Sequence, residues 1–289
     1  MARCSRFRPL TFMCRLAGKT ILIILGLCIL ITLTQNMATA NVIRLATTTS
    51  TENSGLLDHL LPVFEDEYGI SVLVISVGTG QAIRMGKDGD VDVLLVHDRL
   101  TEDTFITRGF GSQRYDVMYN DFVVVGPSND PAGIYGETNA LEAFKKISEA
   151  GVDFISRGDD SGTHKAERRL WLGLSQTFPW MNSHASWYKE VGAGMGKSLN
   201  IAIGMDAYIL VDRGTWIAFK NKSNHTTLVE GDKRLHNPYG VILINPNIHR
   251  HIKAKEARLF AEWLISSKAQ SLIQSYTISG KQLFFPARK

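Results

Sequence analysis

The sequence predicts an α/β fold, because short apolar runs alternate with segments whose apolar residues recur at helical spacing. The runs Val42–Ala46, Ser71–Val77 and Val91–Val96 have the length and composition of strands. Ser71–Val77 is nearly continuous in apolar residues, which predicts a strand covered on both faces in a parallel sheet. We therefore expect these strands to pack between layers of helices.

The first strand leads into a polar loop and then an amphipathic helix. Five hydroxyl residues in succession, Thr47–Thr51, are expected to form the loop. Apolar residues then recur three and four positions apart from Leu56 to Tyr68, and Gly69 supplies a glycine that ends the helix. The two strands that follow are also succeeded by polar residues, G-T-G-Q at 78–81 and Asp98.

The strand-and-helix pattern returns near the C-terminus. D-F-V-V-V-G at 121–126 predicts a strand that Pro127 closes, and Y-G-V-I-L-I-N at 239–245 predicts another strand. One helix is predicted over Glu256–Tyr276, with apolar residues along one face.

The segment between these strands has a different composition, with loops rich in glycine, aspartate and serine. A lobe that the chain leaves and later re-enters explains why the two ends are alike. We therefore predict a discontinuous lobe I of residues 41–126 and 239–289, and a lobe II of residues 127–238.

The first forty residues have the plan of a secretory signal peptide. Five basic residues and no acidic residue lie here, with the apolar run Ile21–Leu33 and A-T-A at 38–40. The 13 positions of that run are fewer than the roughly 20 needed to span a bilayer, although an uncleaved anchor stays the alternative. We expect cleavage before Asn41 and export to the periplasm.

Leaving out this leader changes what the composition implies. The whole chain has a net charge of +4, whereas residues 41–289 carry 27 basic and 28 acidic groups. A near-neutral domain argues against a nucleic-acid surface, which needs a basic patch. Cys4, Cys14 and Cys28 all lie in the leader, which excludes disulfides, thiolate-bound metal and a cysteine nucleophile from the mature chain.

Three polar loops each follow an apolar strand and precede a helix, which is where open α/β sheets bind ligands. The first is Thr47–Thr51; N-capping explains one of its hydroxyls but not five. The second is G-T-G-Q at 78–81, whose glycines permit positive φ and close approach of the backbone to a ligand. The third, S-R-G-D-D-S-G-T-H at 156–164, combines an arginine with hydroxyls and N–H groups at a helix start, which are groups that bind an anion.

Other motifs have simpler explanations. Gly192–Ser198 is similar to a phosphate-binding loop, but position 191 lacks the glycine which that motif needs. His249 and His251 are expected to be solvated rather than to bind a metal. His164 beside Ser161 would fit an exported hydrolase, but the sequence has no G-x-S-x-G elbow and no identifiable base.

The motifs together resemble the periplasmic tungstate-binding proteins of bacterial ABC-type tungstate importers, over essentially all of residues 41–289. The order of several motifs makes the match specific. They are A-T-T-T-S-T at 46–51, V-G-T-G at 77–80, G-D-V-D-V-L-L-V-H at 89–97, N-D-F-V-V-V-G-P at 120–127, S-R-G-D-D-S-G-T-H at 156–164, G-M-G-K-S-L-N at 194–200 and D-R-G-T-W at 212–216.

The resemblance implies a two-lobed periplasmic binding protein of the type II-like class, each lobe a sheet flanked by helices, with crossover strands as the hinge. In this family a tetrahedral oxyanion lies in the cleft, held by hydroxyls, backbone N–H groups and an arginine. The implied binding residues are Thr48, Thr49, Ser50, Thr79 and Gly80 from lobe I, and Arg157, Ser161, Gly162 and Thr163 from lobe II.

It further implies a monomer that hands tungstate to an ABC permease, with no catalytic activity and no metal or cofactor beyond the oxyanion. Molybdate, sulfate or phosphate in the same role stays an alternative, as do an exported hydrolase and an anion sensor. A carboxylate repels an anion that has no proton to donate. We therefore expect Asp159 to turn away from the oxyanion and to orient Arg157 or cap a helix.

Overall fold

The computed structural model describes residues 41–174, 179–181, 185–278 and 280–287. The predicted signal peptide, residues 1–40, and its cleavage site lie outside these residues. Contacts group Val42–Lys289 into one unit.

Strands and helices alternate through most of this unit. The α-helices are α1 (Thr49–Asn53), α2 (Leu56–Tyr68), α3 (Thr79–Asp88), α4 (Arg99–Thr107), α5 (Ala140–Ala150), α6 (Gly162–Leu172), α7 (Met195–Gly204), α8 (Arg213–Ala218), α9 (Ala254–Leu264) and α10 (Ser267–Ser275). The β-strands are β1 (Asn41–Thr48), β2 (Ile70–Val77), β3 (Val93–Val96), β4 (Gly111–Pro127), β5 (Phe154–Ser156), β6 (Tyr188–Glu190), β7 (Tyr208–Asp212), β8 (His225–Val229), β9 (His236–Ile244), β10 (Thr277–Ile278), β11 (Lys281–Gln282) and β12 (Phe285–Pro286). Short 3₁₀ turns lie at Pro179–Met181 and Lys233–Leu235.

The longer strands form a mixed sheet in the order β2-β1-β3-β9-β4-β7-β5-β6. β1 pairs with β3 in parallel, and β5 pairs in parallel with both β6 and β7. The strands between these two parallel groups, β9 and β4, pair with their neighbours in antiparallel fashion. Helices pack on this sheet, so the predicted α/β fold is confirmed.

β4 joins the two parallel groups. It pairs with β9 along Gly111–Asp121 and with β7 along Phe122–Val125. The apolar run at 121–126 predicts only the end of this strand. Its first half carries polar side chains such as Arg114 and Asp116, which pair with each other at 2.6 Å.

The buried apolar residues fall into two sets along the sequence. One set comes from residues up to Met118 and from Tyr239 onward. The other comes from the stretch between Phe122 and Leu235. The changeover lies where β4 and β9 run side by side, with Asn120 opposite Asn237. The lobe boundaries at 126 and 238 stay a prediction.

Two details of the predicted elements are wrong. β2 is the edge strand of the sheet, and its Leu73 is 54% exposed, so this apolar run is not covered on both faces. The single helix predicted over Glu256–Tyr276 is two helices, because Ser266 interrupts it and caps the second by accepting a hydrogen bond from the Ala269 N–H. Helical apolar spacing continues across such a break, so spacing alone does not reveal it.

A carboxyl group lies deep in the second set of core residues. Glu167 of α6 is 2% exposed and accepts hydrogen bonds from the Trp171 indole, at 3.0 Å, and from the Tyr188 hydroxyl, at 2.8 Å. Burial raises its pKa to about 8. Because the folded-state pKa lies above the ordinary value, the folded protein is stabilised when Glu167 is protonated. This contribution to the free energy of unfolding is complete below about pH 4.5 and is lost as the pH rises through about 8.

We therefore expect Glu167→Gln to stabilise the protein at alkaline pH. The gain in the free energy of unfolding should reach on the order of 3 kcal/mol at pH 9 and should nearly vanish at pH 4.5. Urea unfolding at several pH values measures it. Glu149→Gln, on the exposed face of α5, is the matched control and should change stability by less than about 0.5 kcal/mol at every pH. Equal effects of the two variants would contradict the assignment.

Candidate functional site

The hydroxyl segment is a direct junction between strand and helix rather than a loop. β1 extends through Thr48, whose side chain caps α1 by accepting a hydrogen bond from the Thr51 N–H at 3.3 Å. The Thr48 hydroxyl also lies 3.0 Å from that of Ser50 and 2.7 Å from that of Thr51. Thr48 and Ser50 are buried, whereas Thr49 is partly exposed. One hydroxyl therefore caps the helix and the others cluster around it.

The second junction lies between β2 and α3. Gly78 precedes the helix with φ −72°, so this turn does not use the positive φ that its glycines permit. The absence of a side chain is needed instead at Gly80, where an added Cβ would collide with the Asp160 carboxylate. Thr79, the first residue of α3, is fully buried. The turn thus allows close approach of the segment that holds Asp160, whereas close approach of its backbone to a ligand stays a prediction.

The third junction buries an arginine. Arg157 follows β5 and is 4% exposed, with its Nη2 donating to Asp159 Oδ2 at 2.6 Å. Asp159 Oδ1 accepts the Ser161 N–H at 3.3 Å, so this carboxylate both pairs with the arginine and holds the loop. Asp159 thus contacts Arg157, as predicted, and that it turns away from the oxyanion stays a prediction. Among the described residues, the buried Arg157 Nε has no hydrogen-bond partner.

Ser161 is the N-cap of α6, and its hydroxyl accepts the His164 N–H at 3.2 Å. The His164 ring faces elsewhere: its Nδ1 accepts the Asp160 N–H at 3.2 Å and its Nε2 lies 3.4 Å from Glu190. Serine and imidazole are thus not arranged as nucleophile and base, which removes the feature that favoured a hydrolase.

The second and third junctions meet directly. The Gly162 N–H at the start of α6 donates to the Thr79 hydroxyl at 3.1 Å. Beside this contact, the buried Asp98 carboxylate after β3 accepts a hydrogen bond from Arg169 at 2.8 Å and lies 3.6 Å from the Lys165 amine. Both cations are on α6. The segments that follow β2 and β3 therefore face α6.

Eight of the nine predicted binding residues are buried around these junctions, and Thr49 is the partly exposed one. The structure brings together hydroxyls, backbone N–H groups and one guanidinium, all of which donate hydrogen bonds. Thr163 lies within the same cluster, its hydroxyl 3.5 Å from Arg157 Nη1. Such a set of donors can replace the hydration shell of an oxyanion.

His97 belongs to this cluster, although reasoning from the sequence did not include it among the binding residues. It directly follows β3, is 3% exposed, and its Nε2 lies 3.4 Å from the Ser50 hydroxyl. Its Nδ1 lies 2.9 Å from Asn237 Oδ1 on β9. Burial lowers the pKa of His97 to about 4, so the ring is neutral at physiological pH. Its place at the end of an apolar strand, next to Asp98, was the available signal.

The set-aside motifs have structural roles. Ser198, at the end of the sequence similar to a phosphate-binding loop, donates its hydroxyl proton to the Ala193 carbonyl at 3.0 Å. His249 and His251 contact the carbonyls of Lys87 and Gly89 at 2.8 and 2.9 Å; His251 is exposed to solvent, as expected, and His249 is partly exposed. No group of three or more His, Cys, Asp or Glu suited to a metal occurs within the described residues.

The chain is similar to known proteins in sequence and in fold. A model of the PBP superfamily domain matches residues 35–268. The tungstate-binding protein TupA of Peptoclostridium acidaminophilum is 49% identical over 246 residues, which is 84% of each chain.

Two solved structures are similar in both fold and sequence. The tungstate-binding protein TupA from Desulfovibrio alaskensis G20 has 42% identity and a TM-score of 0.75, covering 86% of this chain and 99% of that one. The structure described as the tungstate ABC transporter from Geobacter sulfurreducens has 45% identity and a TM-score of 0.72, covering 81% and 98%.

The geometry around His97 predicts its protonation state. With Asn237 Oδ1 accepting at Nδ1, the ring should be neutral and carry its proton on Nδ1 down to about pH 5, because protonation occurs only near pH 4. Two-bond ¹H–¹⁵N spectra of ¹⁵N-histidine-labelled protein measure this, with His97→Gln identifying the signal. A His97 ring that titrates near pH 6.5 would contradict the buried, neutral assignment.

Proposed function

The chain belongs to the PBP superfamily and, within it, to the TupA-type tungstate-binding proteins, and from this premise we propose that it binds tungstate at the three junctions and delivers it for import. The observation that carries the proposal is the buried Arg157, whose Nε lacks a partner among the described residues. Its carboxylate partner is Asp159, and hydroxyls and backbone N–H groups that can donate hydrogen bonds lie around it.

The chemistry of the ligand fits these donors. Tungstate is an unprotonated dianion at neutral pH, so its four oxygens only accept hydrogen bonds. We propose that Thr48, Thr49 and Ser50 with Thr79 and Gly80 supply one group of donors, and that Arg157, Ser161, Gly162 and Thr163 supply the other. A hydrogen bond to a charged group contributes about 1.5–3 kcal/mol. Several pre-positioned ones give tight binding without a basic surface.

We propose that the two groups belong to two lobes, residues 41–126 with 239–289 and residues 127–238. β4 and β9 are the strands that pass between these segments, which suits them to act as a hinge. The Asp98 contacts with Lys165 and Arg169 join the same two segments beside the donors. They would form on closure and hold the lobes around the oxyanion.

The proposed place of action is the periplasm, reached by a cleaved signal peptide. There the protein would act as a monomer that passes tungstate to an ABC permease, without catalysing a reaction and without a cofactor. A helix long and apolar enough to cross a bilayer does not occur in the part of the chain that the structure describes. Molybdate is the competing ligand for the same site, because its charge and size are close to those of tungstate.

Calorimetric titration tests the function directly. The fragment 41–289 should bind tungstate tightly, and Arg157→Ala should weaken the affinity at least about 100-fold, because it removes charge-assisted donors from a buried site. Arg258→Ala, on the exposed face of α9, is the matched control and should leave the affinity unchanged. Molybdate, sulfate and phosphate are titrated in parallel. Absence of heat with tungstate would overturn the proposal.

The proposed closure of the lobes predicts a second effect, on the rate at which tungstate dissociates. Asp98→Asn removes the charge that faces Arg169 and Lys165, so we expect tungstate affinity to fall about 5- to 20-fold, mainly through faster dissociation. Stopped-flow measurement of tryptophan fluorescence follows both rate constants. Asp103→Asn, which loses an exposed ion pair with Arg99 on α4, should change neither rate constant. A purely slower association in Asp98→Asn would contradict a role in holding the closed form.

A further inference from the structure

His97 lies where the donor groups meet. Its Nε2 faces Ser50 of the first junction at 3.4 Å. On the other side, the start of α6 packs against the ring: a Cβ added to Gly162 would lie 2.8 Å from His97 Cε1 and 3.0 Å from Nδ1. Gly162 therefore lies closer to the ring than a residue with a side chain could without a shift of its neighbours.

Contacts with β9 residues fix the His97 ring in place, so it cannot shift easily to make room for an added atom at Gly162. Nδ1 bonds to Asn237 Oδ1 at 2.9 Å, and the face of the ring stacks on Tyr239 with 4.7 Å between centroids. Asn237 in turn donates to Asn120 Oδ1 at 2.6 Å. Asn237 and Asn120 lie opposite each other on β9 and β4. The strands that pass between the two proposed lobes thus fix the position of His97.

We propose that His97 is a positioning residue of the oxyanion site: its clamped ring is the surface on which the start of α6 docks, so that the donors of Gly162 and Thr163 face those of Ser50 and Thr79. This inference rests on the proposed function. It assigns the ring no contact with the oxyanion. His97 acts through shape and through its bond to Asn237, and so links anion binding to β9.

Gly162→Ala tests the contact, because it keeps every N–H and hydroxyl donor and adds only one methyl group. The methyl group meets the clamped ring, so tungstate affinity should fall about tenfold or more. Gly196→Ala is the matched control. Gly196 is also near the start of a helix, α7, and an added Cβ there meets no described atom within 4 Å. The tungstate affinity of the Gly196→Ala variant should stay within about twofold of that of the parent protein.

The decisive comparison repeats Gly162→Ala in a His97→Ala background, by calorimetry at up to millimolar tungstate. His97→Ala alone should weaken binding about three- to tenfold. With the ring gone, adding Gly162→Ala should cost less than about threefold, because Thr79 Oγ1, 3.1 Å from the new Cβ, is the remaining neighbour. A loss as large as in the parent, or no loss in the parent, would overturn the proposal.

Two further outcomes are separable. A folded His97→Ala protein without measurable binding would also contradict the proposal, since it would make the ring a ligand of the anion. Thermal melting checks each variant for folding, and His97→Ser replaces His97→Ala if the latter does not fold. Failure of the parent protein to bind tungstate would refute the proposed function itself. The titration of the parent protein shows this before any variant is compared.

Discussion

The burial of one guanidinium is the constraint on which the site depends. A buried charge is costly unless it is paired and its hydrogen bonds are satisfied, and Arg157 is paired with Asp159 two residues later. An ion pair between residues only two positions apart needs a tight loop. The loop is formed with positive φ at two residues, +59° at Gly158 and +57° at Asp160. The same carboxylate holds the Ser161 N–H, so the loop that pairs the charge also sets the start of α6.

The order of the strands explains how separate junctions reach one place. β1, β2 and β3 lie on one side of the sheet and β5 and β7 on the other, with the antiparallel β9 and β4 between them. Each junction alone is an ordinary strand-to-helix turn, and the first and the third have a capping hydroxyl. The hydrogen bond from Gly162 to Thr79 brings two of them into contact. Binding capacity is therefore a property of the sheet as a whole and not of any one motif.

The sequence predicted what depends on local pattern and missed what depends on neighbours. Apolar spacing and Gly69 give α2 its observed limits, and strand-loop-helix order located all three junctions. The exposure of Leu73 could not be read from its run, because the run does not say which strand lies at the edge of the sheet. His97 was missed for a similar reason. Nothing in V-L-L-V-H indicates that Asn237, 140 residues away, will clamp the ring.

The charges of the cluster favour a fully deprotonated ligand. Asp159 offsets Arg157, and His97 is neutral, so a dianion would be held mainly by oriented N–H and O–H dipoles. The acceptors beside these dipoles are the Asp159 carboxylate and the unprotonated His97 Nε2, which lies 3.4 Å from the Ser50 hydroxyl. Both oxygens of Asp159 already accept hydrogen bonds from within their own loop, which leaves the carboxylate poorly placed to accept a proton from hydrogen phosphate. A site with many donors and an engaged carboxylate therefore suits tungstate or molybdate better than a protonated oxyanion, even in a domain with almost no net charge.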